Sequence, residues 1–504
     1  MNSTPLIYYT PLSFSRFIAA LILSTLAGCA VGPDFRQPAA PVASTYTDHP
    51  LSIIDISQNV NGGQVQHFDK GADIPGDWWT LFHSKPLNGL IEQALANNHD
   101  LKAAQAALSA SRENFLAGHG AYYPSVSASF SASREQDPSG ALSSTTSTNT
   151  YRYNLFTPQV SVSYVPDVFG LNRRTVESLQ AQEQGVRFQM LATYTALTAN
   201  VVVTAIQEAA LQAQIDATHQ LIAIDSNALE IIKYQFSKGY AGGLDVAAQQ
   251  AQLAQVNASL PPLIKQLAQL HDLMAVLTGR FPNQGPAEKF ELSSLQLPQE
   301  LPVSLPSKLV EQRPDVAQAE ANLHAASAQI GIATANRLPN IVLTADAGST
   351  ALTLSQLFMP GSGFWTLGAT LTAPIFQGGA LLHQERAAKA AYIEAAEQYR
   401  STVLTAFQNV ADTLNALEQD AAELKAAAAA ADAAKVTLDL SQKQTQAGYA
   451  NELSLLNAEQ SYQQAQMSLV QAQASRYADT AALFQALGGG WWHHKELERN
   501  NDEK

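Results

Sequence analysis

The apolar positions of this chain follow two periods, and the longer one dominates. Val403, Phe407, Val410, Leu414, Leu417, Ala421 and Leu424 succeed one another at spacings of 4, 3, 4, 3, 4 and 3, the seam of a coiled coil. The seam lies within Ala380–Ala447, 68 residues between Gly379 and Gly448 that contain neither Gly nor Pro. Ala, Gln, Glu, Leu and Lys, all good helix formers, dominate it. Such a helix is roughly 100 Å long at 1.5 Å per residue, where a globular domain uses about 8–20 residues. The pattern predicts a rod that crosses a distance, in preference to two or three helices with unmarked breaks.

The rod has a twin. Leu171–Lys238 is also 68 residues long, flanked by Gly170 and Gly239, with no Pro and only Gly185 inside. Its seam runs Leu211, Ile215, Thr218, Ile222, Asp225, Leu229, Ile232 and Phe236. The two frames are 209 positions apart at both ends (171 to 380, 238 to 447), and Gly239-Tyr240-Ala241 matches Gly448-Tyr449-Ala450. The chain therefore reads as an internal duplication.

The second period is two. Val126, Ala128, Phe130 and Ala132 alternate with Ser125 through Ser133, and Val160, Val162 and Tyr164 alternate with Ser161 and Ser163. In the second copy, Ile341, Leu343, Ala345 and Ala347 alternate with Val342, Thr344 and Asp346. Trp365, Leu367, Ala369, Leu371 and Ala373 do so with Thr366, Gly368, Thr370 and Thr372. One apolar and one polar face per strand, over about 10 residues, is the pattern of a tilted membrane-spanning strand. Residues 134–152 are rich in Ser, Thr, Gly and Pro and read as a loop.

These elements order as follows. Residues 1–28 form a signal peptide and 29–76 an anchored N-terminal tether. The first repeat, 77–279, holds a helix over Pro86–Gly118, strands at about 124–134 and 153–166, the rod 171–238 and a return helix 244–277. A Pro-rich linker, 280–306, cannot continue a rod and is expected to join the C-terminal tail in a belt. The second repeat, 307–489, holds a helix, strands at about 339–349 and 364–374, the rod 380–447 and a return helix 453–487; 490–504 is the tail.

Composition narrows the function. A formal net charge of −14 argues against nucleic acid as a partner. No apolar run reaches the 18 or so residues of a membrane helix. Arg16 precedes an apolar run, Phe17–Leu26, of signal-peptide length, which ends in Leu26-Ala27-Gly28-Cys29. Cys29 is the single cysteine, so no intrachain disulfide is possible.

Leu26–Cys29 resembles a bacterial lipobox, which implies cleavage before Cys29 and a diacylglycerol on its sulfur with an N-acyl chain. Acyl chains partition at about 0.8 kcal/mol per buried methylene. Ala30 rather than Asp after the Cys favours the outer membrane by the same resemblance. Cys29-Ala30-Val31-Gly32-Pro33-Asp34-Phe35 and Asp77-Trp78-Trp79-Thr80-Leu81-Phe82, followed by Leu87, Leu90-Ile91, Ala94-Leu95, Asn97-Asn98 and Asp100-Leu101, resemble the opening of the TolC-like outer-membrane factors of the NodT or OprM type. The resemblance covers nearly all of residues 29–490. It implies a mainly α chain with membrane β-structure. As a homotrimer such a chain forms a twelve-strand outer-membrane barrel continued by a periplasmic helical tube. The function implied is the exit duct of a tripartite efflux system, with a periplasmic adaptor and an inner-membrane pump of the resistance-nodulation-division type. The duct of a type I protein-secretion system shares the fold, and a lipid-anchored coiled-coil scaffold without a pore is the reading from another class.

By the same resemblance the two rod-end turns close the tube at its periplasmic tip. The candidates are Tyr240 and Asp245 in the first turn and Tyr449, Glu452, Ser454 and Asn457 in the second. Relatives often carry Asp where this chain has Ser454 and Asn457, so the acidic ring here is weakened or moved to Glu452 or Asp245; both positions also suit plain helix N-termini. No enzyme, cofactor or metal chemistry is expected beyond the lipid on Cys29. Eleven histidines include no HExxH arrangement, there is no phosphate loop, and His493-His494 reads as a disordered tail before it reads as a metal site.

Overall fold

A computed structural model describes residues 30–43, 45–49, 60–136, 152–285 and 290–494. Cys29 and the signal segment lie outside the described residues. The described residues divide into two units, one within 30–37, 109–185 and 320–398, the other within 38–108, 186–319 and 399–494.

The second unit is built on the seams. The first rod is α3 (Leu171–Ser237) and the second is α7 (Ala380–Gln446), each followed by a return helix, α4 (Gly243–Leu277) and α8 (Glu452–Ala486). Along α7, Val410, Leu414, Leu417 and Leu424 are fully buried, and the seam continues through Ala428 and Ala431. The Ala-rich run 426–431 is therefore more than a solvated face, because every third or fourth alanine packs inward. Along α3 the seam is buried at Ile215, Thr218, Asp225, Leu229 and Ile232, but Phe236, next to the terminal turn, is 52% exposed. One 18-residue window of α3 reaches a mean hydropathy of 1.3 with two charges or fewer, enough by composition to cross a membrane, yet 67% of it is buried inside the fold. It is a core helix.

The helix expected over 86–118 is two helices, α1 (Lys85–Asn97) and α2 (His99–His119). Asn98 breaks them with an extended ψ of 129°. Its side chain then caps α2, with Oδ1 accepting from the Leu101 N–H at 2.9 Å, while Nδ2 donates to the Leu277 carbonyl at 3.1 Å. The second repeat copies the break, with α5 (Pro306–Gln312) and α6 (Pro314–Ala335) parted at Arg313. The return helix α4 carries Pro261 and Pro262 without stopping. Both are exposed, so solvent can reach the carbonyls that lose their N–H partners.

Two expectations need correction. The segment 29–76 is not a loose tether throughout. Its strand β1 (His67–Lys70) pairs in parallel with β4 (Glu300–Val303) of the inter-repeat linker, His67 opposite Glu300. The described part of the tail is packed: Trp491–His493 form a 3-10 turn with Trp491 buried and its Nε1 donating to the Gln312 carbonyl at 2.8 Å. His493 bonds Asp73 at 2.9 Å, and His494 meets the Tyr194 hydroxyl at 3.1 Å and stacks on Trp79. Both histidines serve packing, and among the described residues no group of three or more metal-ligating side chains forms.

The first unit holds one antiparallel sheet of four strands in the order β2 (Ser125–Gln136), β3 (Arg152–Tyr164), β5 (Asn340–Ser349), β6 (Gly363–Thr372). The two hairpins, one from each repeat, join where β3 meets β5, with Val162 opposite Ala345.

Candidate functional site

The register gathers most apolar positions of the sheet on one face, with Leu155, Val342 and Phe364 on the other. Phe130 stands opposite Pro158, Ala128 opposite Val160, Val160 opposite Ala347 and Ala347 opposite Trp365. The other face carries Ser127, Ser161, Asp346 and Thr366 in one cross-strand row. A sheet packed on a core buries its apolar face; this one leaves it open, with Trp365 75% exposed and Phe130, Leu367 and Leu371 more than half exposed. Its outer strands, β2 and β6, have no partner on their far sides within the described residues. Such a sheet is a piece of wall, apolar on one side and polar on the other, waiting for further strands.

The two rod-end turns are copies in their bonds as well as their sequence. In the first, the Gly239 N–H donates to the Phe236 carbonyl at 3.0 Å and the Tyr240 N–H to Gln235 at 2.9 Å. In the second, the Gly448 N–H donates to Thr445 at 3.0 Å and the Tyr449 N–H to Gln444 at 2.8 Å. This is the Schellman closure of a helix, which needs a left-handed residue; Gly239 and Gly448 have φ of 76° and 78°. The closure thrusts Tyr240 and Tyr449 outward, 85% and 88% exposed. Asp245 is engaged locally, its Oδ2 accepting from the Gly242 N–H at 2.8 Å at the start of α4. Asn451 caps α8, its Oδ1 accepting from the Ser454 N–H at 2.9 Å and hydroxyl at 2.7 Å. Glu452 opens α8, and Asn457 is exposed one turn later. Thus Asp245 and Ser454 serve helix starts, while Tyr240, Tyr449 and Asn457 face outward.

A buried polar group in the second unit was not foreseen from the sequence. Arg476 on α8 is fully buried, with Nη2 donating to the Gln64 carbonyl at 2.9 Å and Nε and Nη2 to Gln66 Oε1 at 3.2 and 3.1 Å. Burial lowers its pKa to about 10, opposed by the charge of Asp420 on α7. Asp420 is itself buried, and burial together with a hydrogen bond to Asp479 and the charge of Glu423 pushes its carboxyl up to about 7. The folded chain therefore holds a proton there that the unfolded chain releases. This contribution to stability is complete below about pH 4 and is lost as pH rises through about 7. The melting temperature should fall across that window, and Asp420→Asn should flatten the fall and raise the melting temperature at pH 8. Thermal melts of both proteins at pH 5 and pH 8 check it. The signal in the sequence was faint: Asp420 sits beside the buried seam residue Ala421.

Comparison with known proteins places these features together. A profile described as outer membrane efflux protein matches residues 90–279 and 305–489. The toluene efflux pump outer membrane protein TtgC of Pseudomonas putida is 30% identical over 471 residues, covering 93% of this chain and 94% of that protein. The antibiotic efflux pump outer membrane protein ArpC of Pseudomonas putida matches with the same identity and coverage. Among solved structures, the outer-membrane channel OprN superposes with a TM-score of 0.78 at 25% identity, covering 92% of this chain and all of that one.

Proposed function

The chain belongs to the outer membrane efflux protein family, and from that premise we propose that three copies form an exit duct for small molecules. It is an outer-membrane component of an efflux system, as its relatives are, and those relatives are efflux proteins rather than enzymes. The observation that carries the trimer is the open sheet. Unpaired strand edges cannot face hydrocarbon, so the wall must close between chains. Two chains give eight strands, a barrel filled by its own side chains; three give twelve, with room for a lumen. The polar face then lines water and the apolar face meets lipid. Two rods per chain supply six to a helical tube.

The cargo is proposed from the named relatives, whose pumps handle toluene and antibiotics. That favours small molecules over polypeptide, and a pore over a scaffold. The chain carries no phosphate loop, so an inner-membrane pump of the resistance-nodulation-division type, joined through a periplasmic adaptor, supplies the drive. Native mass spectrometry in detergent and single-channel recording test the reading. A trimer that conducts is expected, and a stable monomer that conducts overturns it.

The constriction is proposed at the turns Gly239–Asp245 and Gly448–Asn457. They close rods of equal length, and three copies of each bring polar side chains near one axis. Asn457→Asp adds a ring of three carboxylates and is expected to raise the sensitivity of the current to divalent cations several-fold. Asp245→Ala with Glu452→Ala should lower whatever block the wild type shows. Unchanged currents in both variants place the constriction elsewhere.

A further inference from the structure

The segment that follows Cys29 is held in a built seat. The Val31 N–H donates to the Phe169 carbonyl at 3.1 Å. Arg174, in the first turn of α3 and with only 5% of its side chain exposed, reaches back to the segment through three bonds. Nε donates to the Val31 carbonyl at 3.1 Å, and Nη2 to the Gly32 carbonyl at 3.4 Å and Asp34 Oδ1 at 2.7 Å. Its Nη1 holds Glu177 at 2.6 Å; Glu177 in turn meets His324 at 3.0 Å, and the His324 ring lies flat on Phe35 at 4.3 Å and 12°. The backbones are in contact. A Cβ on Gly32 would lie 2.4 Å from the Gly331 Cα, and one on Gly170 would lie 2.6 Å from the Ala30 Cα.

The position of the seat gives these contacts a purpose. Gly170 and Arg174 follow the end of β3 at Tyr164 by six and ten residues, and Gly331 precedes the start of β5 at Asn340 by nine. The seat therefore lies at the strand-to-helix passage of the sheet, beside the joint of the two repeats.

We propose that Arg174, Gly170 and Gly331 form a receptor for the newly cut amino-terminus, and that its filling by Ala30–Phe35 fixes the anchor at the strand-to-helix passage beside the β3–β5 joint and completes the fold there. The inference rests on the reading that Cys29 is acylated. An empty seat leaves Arg174 with Glu177 alone and three bonds short, and parts the Gly32–Gly331 and Ala30–Gly170 contacts, which disfavours the folded passage. Filling the seat thus links maturation of the N-terminus to assembly of the wall. Arg174 is a positioning residue: it acts on the sheet through the segment it holds.

The test uses the full chain in its own outer membrane, with Arg174→Met and Gly32→Val as separate variants. A Val31→Cys/Phe169→Cys pair, oxidised in situ, reports whether the seat is filled. Both variants should carry the Cys29 lipid as the wild type does, by mass spectrometry of the N-terminal peptide. Both should also lose cross-linking and show at least about tenfold less of the heat-modifiable assembled form. Wild-type cross-linking and assembly in both variants overturn the seat. A free thiol at Cys29 in mature wild type overturns the lipid reading, and the cross-link and assembly results then still decide the seat on their own.

Discussion

Leu367→Arg is expected to abolish the assembled protein in the outer membrane, while Thr366→Arg, one position away, leaves it in place. Leu367 lies mid-strand in β6 on the apolar face, opposite Ala345. An arginine facing lipid at mid-depth costs about 2–4 kcal/mol in a barrel, so three copies cost about 6–12 kcal/mol per trimer. That is comparable with the entire stability of a typical fold, about 5–15 kcal/mol. Thr366 faces the other way and stands opposite Asp346, which would receive the new cation across the strand pair. Heat-modifiable mobility in detergent gels of the outer-membrane fraction reads both outcomes. If the two variants behave alike, the sheet does not separate lipid from water.

Arg476→Ala should be the most damaging single change in the helical unit. It strands the Gln64 carbonyl and Gln66 Oε1 without their donor and removes the positive charge that offsets the Asp420 carboxylate. Breaking a buried charged arrangement by removing one partner costs about 3–5 kcal/mol, a fall of about 3–5 °C in the melting temperature of a chain this long. Asp420→Asn in the same chain removes the carboxylate that the arginine offsets, so the double variant should lose less than Arg476→Ala alone. Melting curves of the four proteins at pH 8 form the cycle. Additive losses would mean that Arg476 acts only through Gln64 and Gln66.

What could be read in advance was what repeats at short range. The rods end within one residue of their expected positions because glycine closes each of them by a local rule, and the strand faces follow from period two alone. The features that escaped depend on partners far along the chain. His67 pairs with Glu300, 233 positions away, and nothing in His67–Lys70 marks it as a strand. The tail packs because Trp491 finds Gln312 and His494 finds Trp79. Arg174 looked like any charge at the head of a rod until Asp34 and the Val31 carbonyl were brought to it. Asn98 was legible in type, as a residue that breaks and caps helices, but a long helical pattern hid it. At the turns, the placement of Asp245 as a helix-start carboxylate was legible, and Ser454 and Asn457 were separable only once Asn451 was seen to hold Ser454.

The joint between β3 and β5 is where the two repeats meet, and it has an ancestral meaning. By the duplication, β3 corresponds to β6 and β5 to β2. The seam inside one chain is therefore the same kind of seam that must form between the β6 of one copy and the β2 of the next. A ring of six half-length chains, each a single hairpin with a single rod, obeys the same pairing rule. Fusing two such halves through residues 280–306 halves the number of separate encounters needed to close the ring and frees the halves to diverge. The differing turns, Gly242-Gly243-Leu244-Asp245 in one half and Asn451-Glu452-Leu453-Ser454 in the other, are that freedom in use.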